Sequence, residues 1–280
     1  MQKMSVQIVW SMIYIVIEGL IFILGLNLLK SIPEKFHDIY KISLSIVLLI
    51  AYFVSQKYFR SQEVVFLAFF LVSLGWTFDY YLTGKINSLF SLNTKELSGF
   101  AYTMVISTLL VSAPVIIGWL ISGQTLSALF IQNSEKTWGI VVGIAGLLLF
   151  GGLGVLLSLN LGLSIELIGA AIPLALVFSI ANGFREELVY RAVFLKGFQS
   201  NIGVFAAIIV TTLVFALAHI DVSYIPASQI VFVIVLLIIG VVGSLIMMKT
   251  GSMIGSVLFH AGADILLIMG MLSSHQLMIK

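Results

Sequence analysis

The sequence predicts an all-α protein, a polytopic membrane helix bundle of about eight or nine transmembrane helices. Three observations carry that expectation. Mean hydropathy is +1.17, far above that of a soluble globular chain. Sixty per cent of the residues are hydrophobic and only 9% are charged. Apolar runs of roughly 18–25 residues, each long enough to cross a bilayer as a helix, recur along the whole chain. A soluble fold of 280 residues could not bury that much apolar surface.

The elements follow from where charge, Gly, Pro and Asn interrupt the apolar runs, which places spans at 5–29, 39–58, 64–82, 99–122, 137–158, 165–198, 202–219, 226–248 and 252–272. The first is too long for a signal-peptide core and is followed by no small-residue cleavage pattern, so we read it as a retained helix. The sixth is too long for a simple crossing and contains Pro173, which predicts a kink or two segments. Connections around 83–98 and 123–136 are modest loops, and no stretch reads as a soluble domain. The lysines lie mostly in short loops, as expected beside a lipid bilayer. In the second half Lys136, Lys196 and Lys249 fall on one side, which favours a cytoplasmic N-terminus. A net charge of +2 gives no reason to expect nucleic acid as a partner. The absence of cysteine excludes disulfides, thiolate metal sites, cysteine nucleophiles and lipidation at cysteine.

Polarity inside the spans is uneven. Glu18 and Asp79 stand alone in the first half, whereas the last hundred residues hold Arg185, Glu186, Glu187, Arg191, His219, His260 and Asp264. Ionisable groups at membrane depth are costly unless paired or hydrated, so a cluster of them marks a functional site. The chain therefore divides into N-terminal scaffold helices, 1–136, and a C-terminal working bundle, 137–280. His37, in a loop, and His275, near the C-terminus, suggest no site.

In "EELVYR", residues four apart share a helix face, so Glu186 aligns with Tyr190 and Glu187 with Arg191. The second couple can neutralise itself inside the bundle. Glu186 points about 100° away and has no cation on its own face, which suits a general base. A plainer reading competes: all four charges could form one ion-pair network bracing two helices, and a single membrane histidine usually serves packing. Two histidines in the same third of the chain shift that balance. His219 closes "FALAH", one turn after Phe215; His260 opens "HAGAD", one turn before Asp264, which can orient the imidazole or hold a water. If "SNIG" turns the chain near 202–203, Glu186 and His219 lie at equal depth on antiparallel helices. Counted from the turn near Gly251, His260 comes out shallower by about 10 Å at the helical rise per residue, so tilt or unwinding must close the gap.

These three motifs, a double glutamate with arginine four after the second ("EELVYR"), F-x-x-x-H ("FALAH") and H-x-x-x-N/D ("HAGAD"), resemble those of the CPBP family. Its members are intramembrane proteases, among them the type II CAAX prenyl endopeptidases and the bacteriocin-processing and immunity proteins. The resemblance covers roughly residues 165–270; the first half carries no motif of the family. It implies that Glu186 activates water and that His219 and His260 complete the site. They would do so either as ligands, with Glu186, of a divalent metal such as zinc, which makes the protein a metalloprotease, or as a pair that handles water and oxyanion. It also implies that Asp264, where many members have asparagine, supports His260, and that Glu187, Tyr190, Arg191 and Phe215 flank and brace the site. The expected substrate is a peptide or membrane protein, such as a bacteriocin or pheromone precursor, cleaved at a bacterial cell membrane.

Other protease classes lack support: there is no H-E-x-x-H, no G-x-S-G and no Gly-x-Gly-Asp. Two further readings are a non-enzymatic immunity factor or scaffold of the same fold, and a small proton-coupled transporter. A transporter should repeat its broken helices in both halves, whereas the polar cluster here lies in one.

Overall fold

The computed structural model describes residues 2–133, 135–219 and 229–279, and within them the protein is a helical bundle. Helix α1 (Gln2–Glu18) continues as a π-helical segment, Gly19–Asn27. Helices α2 (His37–Tyr58), α3 (Glu63–Leu89) and α4 (Leu97–Ile121) follow. The second half contains α5 (Trp138–Asn160) and α6 (Ile165–Glu186), a second π-helical segment at Glu187–Ala192, then α7 (Val193–Ile202) and α8 (Val204–Ala218). It closes with α9 (Gln229–Thr250) and α10 (Ile254–Ser273).

Eight helical stretches among the described residues are long and apolar enough to cross a membrane. The expected span at 202–219 is a helix, but with 15 residues it covers only about 22 Å of a hydrocarbon core about 30 Å thick. The opening residues of the expected span 226–248 lie outside the described residues. The sixth span differs in a second way. Helix α6 runs through Pro173 without ending there, because Ala171 and Ala175 on either side of it are packed into a core with Phe178, Ile265 and Ile268. Regular α-helix gives way instead at Glu187, where Glu187–Ala192 takes the wider π turn. Such single-turn π segments inside α-helices mark functional sites.

Two cores hold the bundle. The larger joins α1, α3, α7 and α8, with Tyr14 stacked on Phe198 (4.3 Å between ring centroids) and Phe22 on Tyr190 (4.2 Å). The smaller joins α4, α6 and α10, with Phe100 stacked on Phe178 at 4.6 Å. Contacts therefore cross the expected boundary at residue 136: α4 packs on α6, and α1 and α3 pack on α7. The C-terminal tail is tied to the same side of the molecule, since Leu97 N–H donates to Met278 O (2.8 Å) and Met278 N–H to Lys95 O (2.9 Å).

Helix α10, which carries His260 and Asp264, packs most extensively on α5. Lipid tails are as apolar as leucine, so two membrane helices associate by close van der Waals approach rather than by hydrophobic exclusion, and small residues permit it. Gly139, Gly143, Gly146, Gly151 and Gly154 are buried on α5, while Val141, Leu148 and Leu149 on its other face are exposed. A Cβ on Gly143 would come within 2.9 Å of the Gly255 Cα, a backbone atom that cannot turn aside. Gly143→Ala is therefore expected to destabilise the protein by about 1–3 kcal/mol, read as a lower thermal midpoint of the purified protein. Gly152→Ala, with nothing within 4 Å of its Cβ, should leave the midpoint unchanged. Equal midpoints for the two variants would show that the α5–α10 contact is looser than described.

Candidate active site

The polar centre begins with α6 and the π segment that continues it. Glu187 is fully buried, and so is Arg191, whose Nη1 donates to Glu187 Oε1. Glu187 accepts two further bonds from α10: Ser256 Oγ–H donates to Oε2, and His260 Nδ1–H donates to Oε1 at 2.9 Å. The neighbouring Glu186 turns Oε2 to the opposite edge of the same imidazole, 3.5 Å from His260 Nε2. Two consecutive glutamates, about 100° apart on their helix, thus hold one ring from both sides.

His219 arrives from the other direction. It is the residue after α8, where the last carbonyls of a helix have no intrahelical partner. Its Nδ1–H uses one of them, Phe215 O, at 2.7 Å. A carbonyl oxygen can only accept, so Nδ1 carries the hydrogen and Nε2 is directed into the site. Nε2 stands 3.4 Å from Glu186 Oε2. Gly203 (φ +89°) makes the turn between α7 and α8, a conformation glycine adopts without strain, and Glu186 and His219 meet across it as the spacing predicts.

His260 reaches the same point although its count from Gly251 makes it shallower. The two turns do not share a level: a Cβ on Gly243, close before the Gly251 turn, would lie against Glu187 Oε2 and Ser256 Oγ, while Glu187 itself stands much further from the Gly203 turn. The α9–α10 turn is deeper in the bundle than the α7–α8 turn, and this offset brings His260 level with Glu186.

Asp264 does not orient His260 through the expected bond. Its Oδ1 is 3.8 Å from Nε2, beyond hydrogen-bonding range, and Glu187 holds Nδ1 instead. Asp264 Oδ2 accepts from Asn182 Nδ2 at 3.0 Å. Phe215 fills the space between the charged groups: the Arg191 Cζ lies 4.3 Å from its ring centroid, and the His219 and His260 rings lie at 4.7 and 5.7 Å. Tyr190 packs on Phe215 at 5.3 Å. Glu186, His219, His260, Asp264, Asn182 and Arg185 all line one cavity of about 290 Å³. Its remaining wall is apolar and includes Phe100, Phe178, Phe232, Val235 and Leu267. Glu18 and Asp79 are not part of that lining.

Glu186 does not lack a cation: Arg185 Nη2 is 3.4 Å from its Oε1. Among the described residues no group of three or more His, Asp or Glu side chains could hold a metal ion. Asn182, Ser107 and Ser256 went unassigned in the sequence. Asn182 stands four residues before Glu186 and Ser256 four before His260, the one-turn spacing that could have found both. Ser107, on α4, has no such signal.

A family model described as Type II CAAX prenyl endopeptidase Rce1-like matches residues 168–266. That stretch runs from early α6 into α10 and includes Glu186, Glu187, Arg191, His219, His260 and Asp264, while α1–α5 lie outside it. No curated protein matches the chain, and no solved structure does. Over residues 168–266 the chain is therefore similar to the Rce1-like type II CAAX prenyl endopeptidases, in line with the resemblance its three motifs carry.

Proposed function

We propose that the protein is an intramembrane endopeptidase that hydrolyses a peptide or membrane-protein substrate with a water activated by Glu186. One observation carries this reading: Glu186 Oε2 faces His219 Nε2 and His260 Nε2 at 3.4 and 3.5 Å inside a single cavity. All three atoms face that cavity, where one water placed against them would be within reach of the carboxylate and both ring nitrogens.

In the proposed reaction the water gives one hydrogen to Glu186 as its oxygen attacks the scissile carbonyl, and His219 Nε2 accepts the other hydrogen and sets the water's direction. His260, held at Nδ1 by Glu187, donates from Nε2 in its charged form to the oxyanion that develops. Glu186 then passes its proton to the departing amine nitrogen as the C–N bond breaks, which leaves an amine and a carboxylic acid; the acid becomes the carboxylate as its remaining proton, the second hydrogen of the water, leaves by way of His219 Nε2. The apolar remainder of the cavity suits a substrate whose scissile bond is flanked by apolar side chains, as in a membrane-embedded precursor of a bacteriocin or pheromone. Helices 1–136 serve as scaffold for the working bundle at 137–280.

Glu186→Gln keeps the size of the side chain but cannot take the proton from water. At matched protein levels, cleavage of a reporter peptide should fall by about 10²–10⁴-fold while the protein remains folded and abundant in the membrane. Unchanged cleavage would end this mechanism. Should the cell be protected from a bacteriocin equally well by Glu186→Gln, the immunity-scaffold reading would replace it.

Arg191 acts differently, by compensating a carboxylate that has no access to water. Arg191→Ala leaves Glu187 buried without its cation, at a cost of about 3–5 kcal/mol, so the amount of folded protein recovered from membranes should drop sharply. Normal accumulation combined with lost turnover would instead make Arg191 part of the chemistry.

A further inference from the structure

Arg185 has no place in the reaction above, yet it is buried beside the proposed base and is the only group there that reaches into the N-terminal helices by side-chain hydrogen bonds among the described residues. Its two short bonds go to neutral partners. Nη1 donates to Ser107 Oγ on α4 at 2.6 Å, and Nη2 donates to Asn182 Oδ1 at 2.7 Å. Its guanidinium also lies over the Trp76 ring of α3, 5.1 Å from the centroid, a cation–π contact. The Glu186 contact, at 3.4 Å, is the longest of its three hydrogen bonds.

The chemistry of these groups imposes a direction on the network. A guanidinium only donates, so Asn182 must present its carbonyl oxygen to Arg185 and its amide hydrogens to Asp264. Asp264 Oδ2 is thereby held at 3.0 Å, and its other oxygen is left to face His260 Nε2 and the cavity. Thr108 Oγ–H, beside Ser107, donates to Ala181 O at 3.0 Å and fixes α4 against this part of α6.

From this geometry we infer that Arg185 is a positioning residue: braced by Ser107 and Trp76 of the N-terminal helices, it acts through Asn182 to hold Asp264, and by adjacency it holds Glu186, in the arrangement that turnover requires. Helices α3 and α4, outside the segment that matches the family model, are then working parts of the site rather than scaffold alone. The inference rests on the proposed role of Glu186.

The test uses the full-length purified protein, with kcat, KM and thermal midpoint measured for wild type, Arg185→Met, Arg185→Lys, Ser107→Ala, Asp264→Asn and the double variant Arg185→Met/Asp264→Asn. Displacing a group that orients catalytic residues costs about 10- to 100-fold in activity, so Arg185→Met should lose that much kcat with KM within about threefold. Arg185→Lys should recover only part of the loss, because one ammonium cannot span Ser107 and Asn182 as the fork does. The double variant should be no slower than Asp264→Asn alone, within about twofold, since linked residues are non-additive. Full kcat in folded Arg185→Met, or losses that multiply, would overturn the inference. If Arg185→Met does not fold, Ser107→Ala takes its place, since it breaks one brace and keeps the charge. There a several-fold fall in kcat supports the inference and an unchanged kcat overturns it. If wild type cleaves no peptide, the role of Glu186 falls separately. The thermal midpoints then decide whether Arg185 holds Asp264: coupled shifts support it and additive shifts overturn it.

Discussion

The Glu187 carboxylate is the constraint on which the rest of the site depends. A carboxylate with no exposure at all, in a protein whose surroundings are lipid, must have its charge and its lone pairs satisfied by protein atoms. Arg191 supplies the charge, and Ser256 and His260 supply the remaining hydrogen bonds. All three bonds also do geometric work. The first closes on the π segment itself, and the other two tie α10 to it one helical turn apart. Because His260 gives its Nδ1–H to Glu187, its Nε2 can only look toward Glu186. The orientation of the proposed water site is therefore a consequence of how a neighbouring charge is buried.

That arrangement needs α10 very close to both α6 and α5, and the sequence provides for it with glycine. At Gly183 on α6 the added Cβ would sit 3.1 Å from Val257 O and 3.6 Å from the His260 Cβ. At Gly143 and Gly154 on α5 it would press on the backbone of α10. A helix held by small residues on two sides has little freedom to rotate or slide, so the His260 ring is delivered to Glu187 with its depth already set. The π turn at Glu187–Ala192 adds to this by placing six consecutive buried residues at the point where α6 would otherwise continue as a regular helix.

Much of this was legible in the chain because lipid simplifies the pattern: a helix that must cross a bilayer shows up as a long apolar run, and eight such stretches are present among the described residues. The cluster of Glu186, His219 and His260 was legible because ionisable groups stand out in such a background. Four features were not, for physical reasons. Pro173 reads as a break in isolation, yet packing at Ala171 and Ala175 carries the helix through it. His260 seemed too shallow because counting residues assumes that two turns sit at one level, which only tertiary packing decides. Asp264, one turn from His260, reads as its partner, but it stands nearer the other ring nitrogen and is bonded to Asn182. The Ser107–Arg185 bond joins residues far apart in sequence through a serine that carries no periodic signal, and nothing local announces it.

The short length of α8 explains how a histidine comes to face Glu186 at all. A helix that crossed the whole membrane would place its C-terminal carbonyls among headgroups, where water satisfies them. Helix α8 covers about 22 Å by its length, and the residue that follows it meets Glu186, which stands well inside the 38-residue stretch Ile165–Ile202. Its terminal carbonyls must then find partners within the protein. His219 meets that need at Phe215 O with one ring nitrogen, and the same bond aims the other nitrogen at Glu186 Oε2. The aromatic residue one turn earlier in the F-x-x-x-H motif is thus more than a spacer: its carbonyl holds the His219 ring, and its own ring separates that imidazole from the Arg191 guanidinium. Ending a helix early inside the bundle and orienting a proposed catalytic histidine are, in this protein, one structural event.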